Sequence, residues 1–172
     1  MKLEIGGGIR NRKEDWINLD ICPTANIVHN LDYAPWPVEN DFADMIYSSH
    51  CIEHVKDPKM FLRECARIGK LGSTVEIRCP DSASEMAMVV GHIGVVSINF
   101  MRHADHIFPE MYWENSPKKL ALQRIEAGAD DFWFNMARAN PLFKDWPDGD
   151  ILTWLPRTRH ENEFHFIVVD NK

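Results

Sequence analysis

A chain of 172 residues, 45% hydrophobic and 26% charged, has the proportions of one globular domain that can bury a single core. Its formal net charge of −7 and sequence pI near 5.6 argue against general affinity for nucleic-acid backbone or anionic membrane. The four cysteines, Cys22, Cys51, Cys65 and Cys79, form no C-x-x-C pair, and the apolar surroundings of Cys65 and Cys79 suit reduced thiols in a cytoplasmic protein.

The chain opens directly on a short apolar strand, "KLEI", with no apolar leader before it, and the strand ends in Gly6-Gly7-Gly8. "WINLDI" (Trp16 to Ile21), "NIVHN" (Asn26 to Asn30) and "DMIYSS" (Asp44 to Ser49) read as strands two to four. A helix follows, with Asp57 as N-cap, Pro58 at its first position and Phe61, Leu62, Cys65 and Ile68 on one face. Lys70 and Gly72 supply its ending signals, and "STVEIRC" (Ser73 to Cys79) is the fifth strand. These near-continuous apolar strands suit a parallel sheet covered on both faces.

Beyond Pro80 the pattern turns helical and aromatic. The apolar run Met86 to Phe100 is short for a membrane span and is interrupted by His92, Ser97 and Asn99, so a buried helix or an oligomer contact is expected. "KKLALQRIEAGADDFWFNMARANPLF" has roughly helical spacing with a break near Gly128. Trp113, Phe132, Trp133, Phe134, Phe143 and Trp146 either pack this segment or form a lid. "ILTWLPRTRHENEFHFIVVD" reads as two strands joined by a polar loop carrying Arg157, Arg159 and His160.

Parallel sheets bind ligands beyond the carboxyl ends of their strands, and "GGG", Asp20, Asn30 and "SSH" all fall at such ends. Consecutive glycines allow a tight turn, or a ligand's close approach with no Cβ in the way. An aspartate one strand later can accept hydrogen bonds from two ribose hydroxyls, or can simply be solvated. The dinucleotide fingerprint fails because Asn11 stands where its third glycine belongs, and no Gly-Lys-Ser/Thr follows for a P-loop. A nucleoside without pyrophosphate fits this loop better than NAD or ATP.

With these motifs in order, the first half of the chain resembles the class I S-adenosylmethionine-dependent methyltransferases, and most closely the small branch described as methyltransferase type 11. "LEIGGG" is similar to the first motif, "WINLDI" to the second strand with its terminal acid, and the stretch from "VHNLDYAPWP" through "SSHCIEHV" to "RCPD" to the remaining core. The resemblance implies a Rossmann-like, doubly wound, mostly parallel α/β sheet of about seven strands. It also implies an antiparallel C-terminal strand and a helical insertion after strand five. One domain over 1–172 would divide into a cofactor half (1–81), a helical, aromatic-rich acceptor or lid segment (82–150) and a C-terminal strand pair (151–172).

The same resemblance implies that Glu4 with Gly6, Gly7 and Gly8 cradles the amino-acid end of S-adenosylmethionine. Asp20 would hold the ribose with Ile21 against the adenine, Asn30 and Leu31 would meet the adenine edge, and Ser48, Ser49 and His50 would face the sulfonium. Two departures stand out: Asn30 replaces a frequent acid, and only about ten residues join the first two strands, where a parallel crossover usually needs a dozen or more. The expected function is methyl transfer to a small or polymer-displayed acceptor, with His50, and after it His106, as candidate bases. A non-catalytic nucleoside-binding module is the alternative.

A third alternative, a metal hydrolase, arises because His50-x-x-Glu53-His54 matches an inverted zinc-protease signature. That chemistry needs both histidines on one helical face, whereas His50 falls at a strand end; Glu53 and His54 are expected to hold the loop in shape. His103, Asp105, His106 and Glu110 cluster in sequence; they read as a divalent-ion site, for metal-assisted methyl transfer or for a hydrolase using His103 and His106, or, more plainly, as surface or lid histidines. No metal ligand is assigned from the sequence.

Overall fold

The structure is a computed structural model that describes residues 1–9, 13–82, 84–129, 136, 139–142, 145 and 159–172. Strands β1 (Lys2–Ile5), β2 (Ile17–Asp20), β3 (Ile27–Val28), β4 (Ala43–Ser49) and β5 (Gly69–Pro80) run parallel. Strand β7 (Arg159–Asp170) lies antiparallel between β5 and β6 (Lys118–Ala129). The seven-stranded order is β3-β2-β1-β4-β5-β7-β6. The chain moves outward from β1 to β3 and then crosses back to β4, so the strand order reverses beside β1. A crevice opens at the carboxyl ends there, because neighbouring connections leave on opposite sides.

Helix α1 (Pro58–Ile68) forms as its sequence dictates. The Asp57 carboxylate accepts the amides of Lys59 and Met60, and Phe61, Leu62, Cys65 and Ile68 are fully buried. Their partners in the core include Leu3, Ile5, Leu19, Ile46, Val75 and Ile77 from the sheet. All four cysteines are free and buried. Among the described residues no helix is long and apolar enough to cross a membrane.

Three sequence expectations need correction. The segment from Lys118 is a strand, not a helix. Leu120 and Leu122 pair opposite Val168 and Phe166, and a register shift between Leu122 and Arg124 brings Ile125 opposite Phe164. This irregularity places the paired apolar residues at 120, 122 and 125, which breaks the strict alternation by which a strand is recognised. The last antiparallel pair is therefore β6 with β7; residues 151–158, expected as the other strand, lie outside the described residues. So do Phe132, Trp133, Phe134, Phe143, Trp146 and Arg157.

Second, Met86 to Phe100 is not a buried helix. A 3₁₀ turn (Glu85–Met88) leads into irregular chain and then α2 (Ile98–Arg102). Gly91, with φ 104°, breaks any helix, and the amides of Ile93 and Gly94 bond the Glu53 carbonyl. Met88 and Val90 are left 77% and 100% exposed; Ala87 and Val96 are the buried members among the described side chains. A π-helical turn (His103–Ile107) and α3 (Glu110–Trp113) complete the helical insertion, with Trp113 buried and its indole N–H donated to the Ala104 carbonyl.

Third, both-face burial is found on β1 and β2, where Leu3, Glu4 and Ile5 and then Asn18, Leu19 and Asp20 are buried in succession, but it does not extend along the outer strands. On β7 burial alternates, with Asn162, Phe164, Phe166 and Val168 inside. The crossovers at 6–16 and 21–26 are too short for covering helices. Trp16 instead packs edge-on against Tyr47 at 6.1 Å, with the Lys13 ammonium 3.7 Å from the tyrosine ring centre.

Arg67 on α1 organises the segment before β4. Its guanidinium donates to both Glu64 carboxylate oxygens, to the carbonyls of Trp36 and Val38 and to the Asn40 side chain. Truncation would leave several part-buried acceptors unpaired. Arg67→Ala should lower stability by about 2–4 kcal/mol in a denaturant titration. A change below about 0.5 kcal/mol, the range of ordinary surface substitutions, would contradict this role.

Candidate functional site

Strand register brings the loops together. Ile5 stands beside Leu19 and Ser48, and the Gly6 amide continues the ladder to the Leu19 carbonyl at 2.9 Å. Gly6–Gly8, Asp20 and Ser49–His50 therefore leave the sheet at one edge. Two clefts open there, and they share Gly6 and His50. One, of about 350 Å³, is bordered by Asp20, Ile21, Asn30, Leu31, Asp32 and His54. The other, of about 320 Å³, is bordered by Glu4, Gly7, Gly8 and Ser49. Both fall in the lower range of small-molecule sites.

The glycine loop is held by side-chain acceptors. Asn18 takes the Gly7 amide at 3.2 Å and Asp20 the Gly8 amide at 2.9 Å, while Glu4 takes the Lys13 amide at 2.9 Å. The second Asp20 oxygen accepts from Cys22 N at 2.7 Å. Each carboxylate oxygen keeps a further lone pair for a ligand hydroxyl.

The three glycines differ. A Cβ on Gly6 would lie 2.3 Å from Cys51 Sγ, and one on Gly7 would lie 2.4 Å from a Glu4 oxygen. At Gly8 nothing lies within 4 Å of that position. The first two glycines are thus required by the protein's own packing, and Gly8 faces open space.

Beyond β3, the Asn30 side chain accepts the Asp32 amide at 3.0 Å, and the Leu31 carbonyl accepts the Trp36 indole N–H at 3.1 Å. Asp32 in turn accepts Lys56 N at 3.0 Å. Ile21 is 65% exposed, an apolar surface bordering the cleft. Ser48 is different: it is fully buried, and its hydroxyl donates to the Ile5 carbonyl, so it fastens β4 to β1.

His50 adopts a left-handed backbone (φ 51°) just after β4, and so it does not share a helical face with His54. Its Nε2 lies 3.1 Å from Glu161, and its Nδ1 lies 3.3 Å from Glu53, near enough for an ion pair but outside hydrogen-bond geometry. The Glu53 carboxylate holds the imidazole above its ordinary pKa; burial opposes the shift and Glu161 adds to it. Beside it, burial pushes the Cys51 thiol up to about 12, with Glu53 and Asp20 adding to the rise, so no thiolate is available at neutral pH.

The structure does not bring His106 to this edge. It is exposed, pairs with Asp105 at 3.2 Å, and lines a separate groove with Arg102, Ile107 and residues 122–125. Asp105 accepts the Leu122 amide at 2.7 Å, and His103 packs on Phe108. Sequence reasoning missed Asn18, Asp32, Cys51 and Glu161. Asp32 had a signal in "NLD" after the third strand; Glu161 reaches His50 only through the antiparallel return of β7.

Comparisons with known proteins bear on the family and the fold. A family model for a methyltransferase domain matches residues 4–125. No curated protein sequence matches the chain. Among solved structures, a chain in the complex of the Haloferax volcanii Trm112 methyltransferase activator with a methyltransferase superposes with a TM-score of 0.60 at 16% identity, covering 98% of this chain and 82% of that one. A SAM-dependent methyltransferase from Archaeoglobus fulgidus gives 0.58 at 16%, covering 96% and 85%. One from Mesorhizobium loti gives 0.58 at 12%, covering 96% and 89%.

The difference between the glycines is measurable. Gly6→Ala should destabilise by about 2–4 kcal/mol, since overpacking against Cys51 adds to left-handed strain. Gly8→Ala should cost about 1–2 kcal/mol, from its left-handed backbone alone. Thermal or denaturant unfolding would contradict this packing if it found the two equal.

Proposed function

The chain belongs to the class I S-adenosylmethionine-dependent methyltransferases, and from that premise we propose how its two clefts divide the work. The single observation that carries the proposal is that the clefts meet at Gly6 and His50, on either side of the end of β1. The nucleoside lies in the Asp20 cleft and the amino-acid end in the Glu4 cleft.

When bound, the cofactor supplies a methyl group already activated on a sulfonium, so the protein mainly aligns and desolvates. Asp20 takes the two ribose hydroxyls on lone pairs left over from Gly8 and Cys22. Ile21 covers one adenine face, and Asn30 and Leu31 border its edge. The open position over Gly8 admits the amino-acid end, with Glu4, Gly7 and Ser49 as its walls. Ser48 acts behind this surface by fixing β4 to β1.

The acceptor is a small molecule or a group displayed on a polymer. His50 stands at the junction of the clefts and takes the proton when the attacking atom is a hydroxyl or amine. Within one domain over 1–172, residues 1–81 hold the cofactor, 82–150 carry the acceptor contacts and 151–172 close the sheet.

The test is a methyl-transfer assay with labelled S-adenosylmethionine against pooled small alcohols, amines and carboxylates. The wild type should release S-adenosylhomocysteine and label an acceptor. His50→Ala should lower kcat about a hundredfold while its affinity for S-adenosylhomocysteine stays within about threefold. Rate and binding lost in proportion would contradict the role of His50. Cofactor binding with no transfer to any acceptor would favour the non-catalytic module.

A further inference from the structure

Glu53 stands apart from the other polar residues at this edge. Its side chain is 2% exposed, and neither carboxylate oxygen has a hydrogen-bond partner among the described residues. The His50 contact with one oxygen, at 3.3 Å, is an ion pair when the imidazole is protonated and lies outside hydrogen-bond geometry. Burying an ionised carboxylate without donors is costly, so a cation is the natural complement.

Two imidazoles lie where such a cation would need them. Ligand atoms of Glu53, His54 and His92 all fall within 4.8 Å of one another. The rings of His54 and His92 meet edge-on, with centres 4.7 Å apart. The His54 Nδ1 is 2.9 Å from the Gly91 carbonyl. A carbonyl only accepts, so Nδ1 carries the proton and Nε2 keeps its lone pair. Metal-ligating histidines are commonly oriented in this way. Nδ1 of His92 is buried and also without a partner.

The backbone builds this arrangement from two distant segments. Gly91 makes the turn that presents its carbonyl to His54, and the amides of Ile93 and Gly94 bond the Glu53 carbonyl at 2.9 and 3.2 Å. His92 is thereby fixed beside the turn that carries Glu53 and His54. We propose that Glu53, His54 and His92 form a binding site for a divalent first-row transition metal, with zinc the best match to two nitrogen donors and one carboxylate. Three protein ligands leave coordination positions for water or for an acceptor oxygen, and His54 also borders the nucleoside cleft.

A second group, Glu76, Glu163 and His165, has similar spacing. There the Arg78 guanidinium already bonds Glu163, so a cation is in place. Among the described residues Glu53 has no arginine partner, and its one ion-pair contact is the part-exposed His50 imidazole at 3.3 Å.

Metal binding is read without cofactor or turnover, so its outcome is separate from that of the methyl-transfer proposal. Chelator-stripped protein titrated calorimetrically with zinc chloride should take up one equivalent at micromolar affinity or better. His54→Ala, His92→Ala and the near-isosteric Glu53→Gln should each weaken it by about tenfold or more. Cobalt(II) added to the wild type should give visible absorption stronger than that of the free aquo ion, a readout that needs no variant to fold. Absence of saturable binding, or binding that survives His54→Ala and His92→Ala and is lost in His165→Ala, would overturn the site.

Discussion

The edge of the sheet depends on one carboxylate. Asp20 ends β2 and accepts the amides of Gly8 and Cys22, so it ties the loop after β1 to the loop after β2. Longer crossovers place a helix behind the first loop and hold it by packing. Here residues 6–16 are too few for that, and hydrogen bonds take over. Asn18 and Glu4 extend the same arrangement by holding Gly7 and Lys13. The residue that resembles a ribose ligand is thus also the residue that shapes the loop over which the rest of the cofactor passes.

The opposite wall is built from further away. Arg67 and Glu64 on α1 grip the chain at Trp36, whose backbone amide donates to Glu64 and whose indole holds the Leu31 carbonyl. A helix two elements removed from the cleft therefore sets the position of Leu31 and Asn30. The wall at His50 has a different support. Its backbone amide donates to the Arg78 carbonyl on β5, and its ring lies between Glu53 and Glu161, so β5 holds the backbone while β7 and the turn carrying Glu53 bear on the imidazole. The cleft walls thus draw on α1, β5 and β7 as well as on the first two strands.

Much of this was legible from residues close in sequence. The five parallel strands, the Asp57 cap, the glycine turn and the acid ending β2 are local signals and are present, although β5 begins at Gly69 and so takes in Lys70 and Gly72, which read as helix-ending signals. What was illegible depended on distant partners. Leu120, Leu122 and Ile125 lack the strict alternation of a strand, and only pairing with β7 through a register shift accounts for their spacing. The run from Met86 is apolar, yet Gly91 and the hold of Glu53 on Ile93 and Gly94 leave most of it outside the core. Glu53 and His54 looked like loop supports or half of a protease motif. Their third neighbour, His92, was visible only as an interruption in an apolar run.

Calorimetric titration with S-adenosylhomocysteine, with Asp20→Ala in parallel, tests the central claim most directly. The account predicts saturable binding at one site, weakened about 10- to 100-fold in the folded variant, or about 1.5–3 kcal/mol for the lost charge-assisted hydrogen bonds. Absence of binding by the folded wild type, or equal affinity in a folded Asp20→Ala protein, would contradict it.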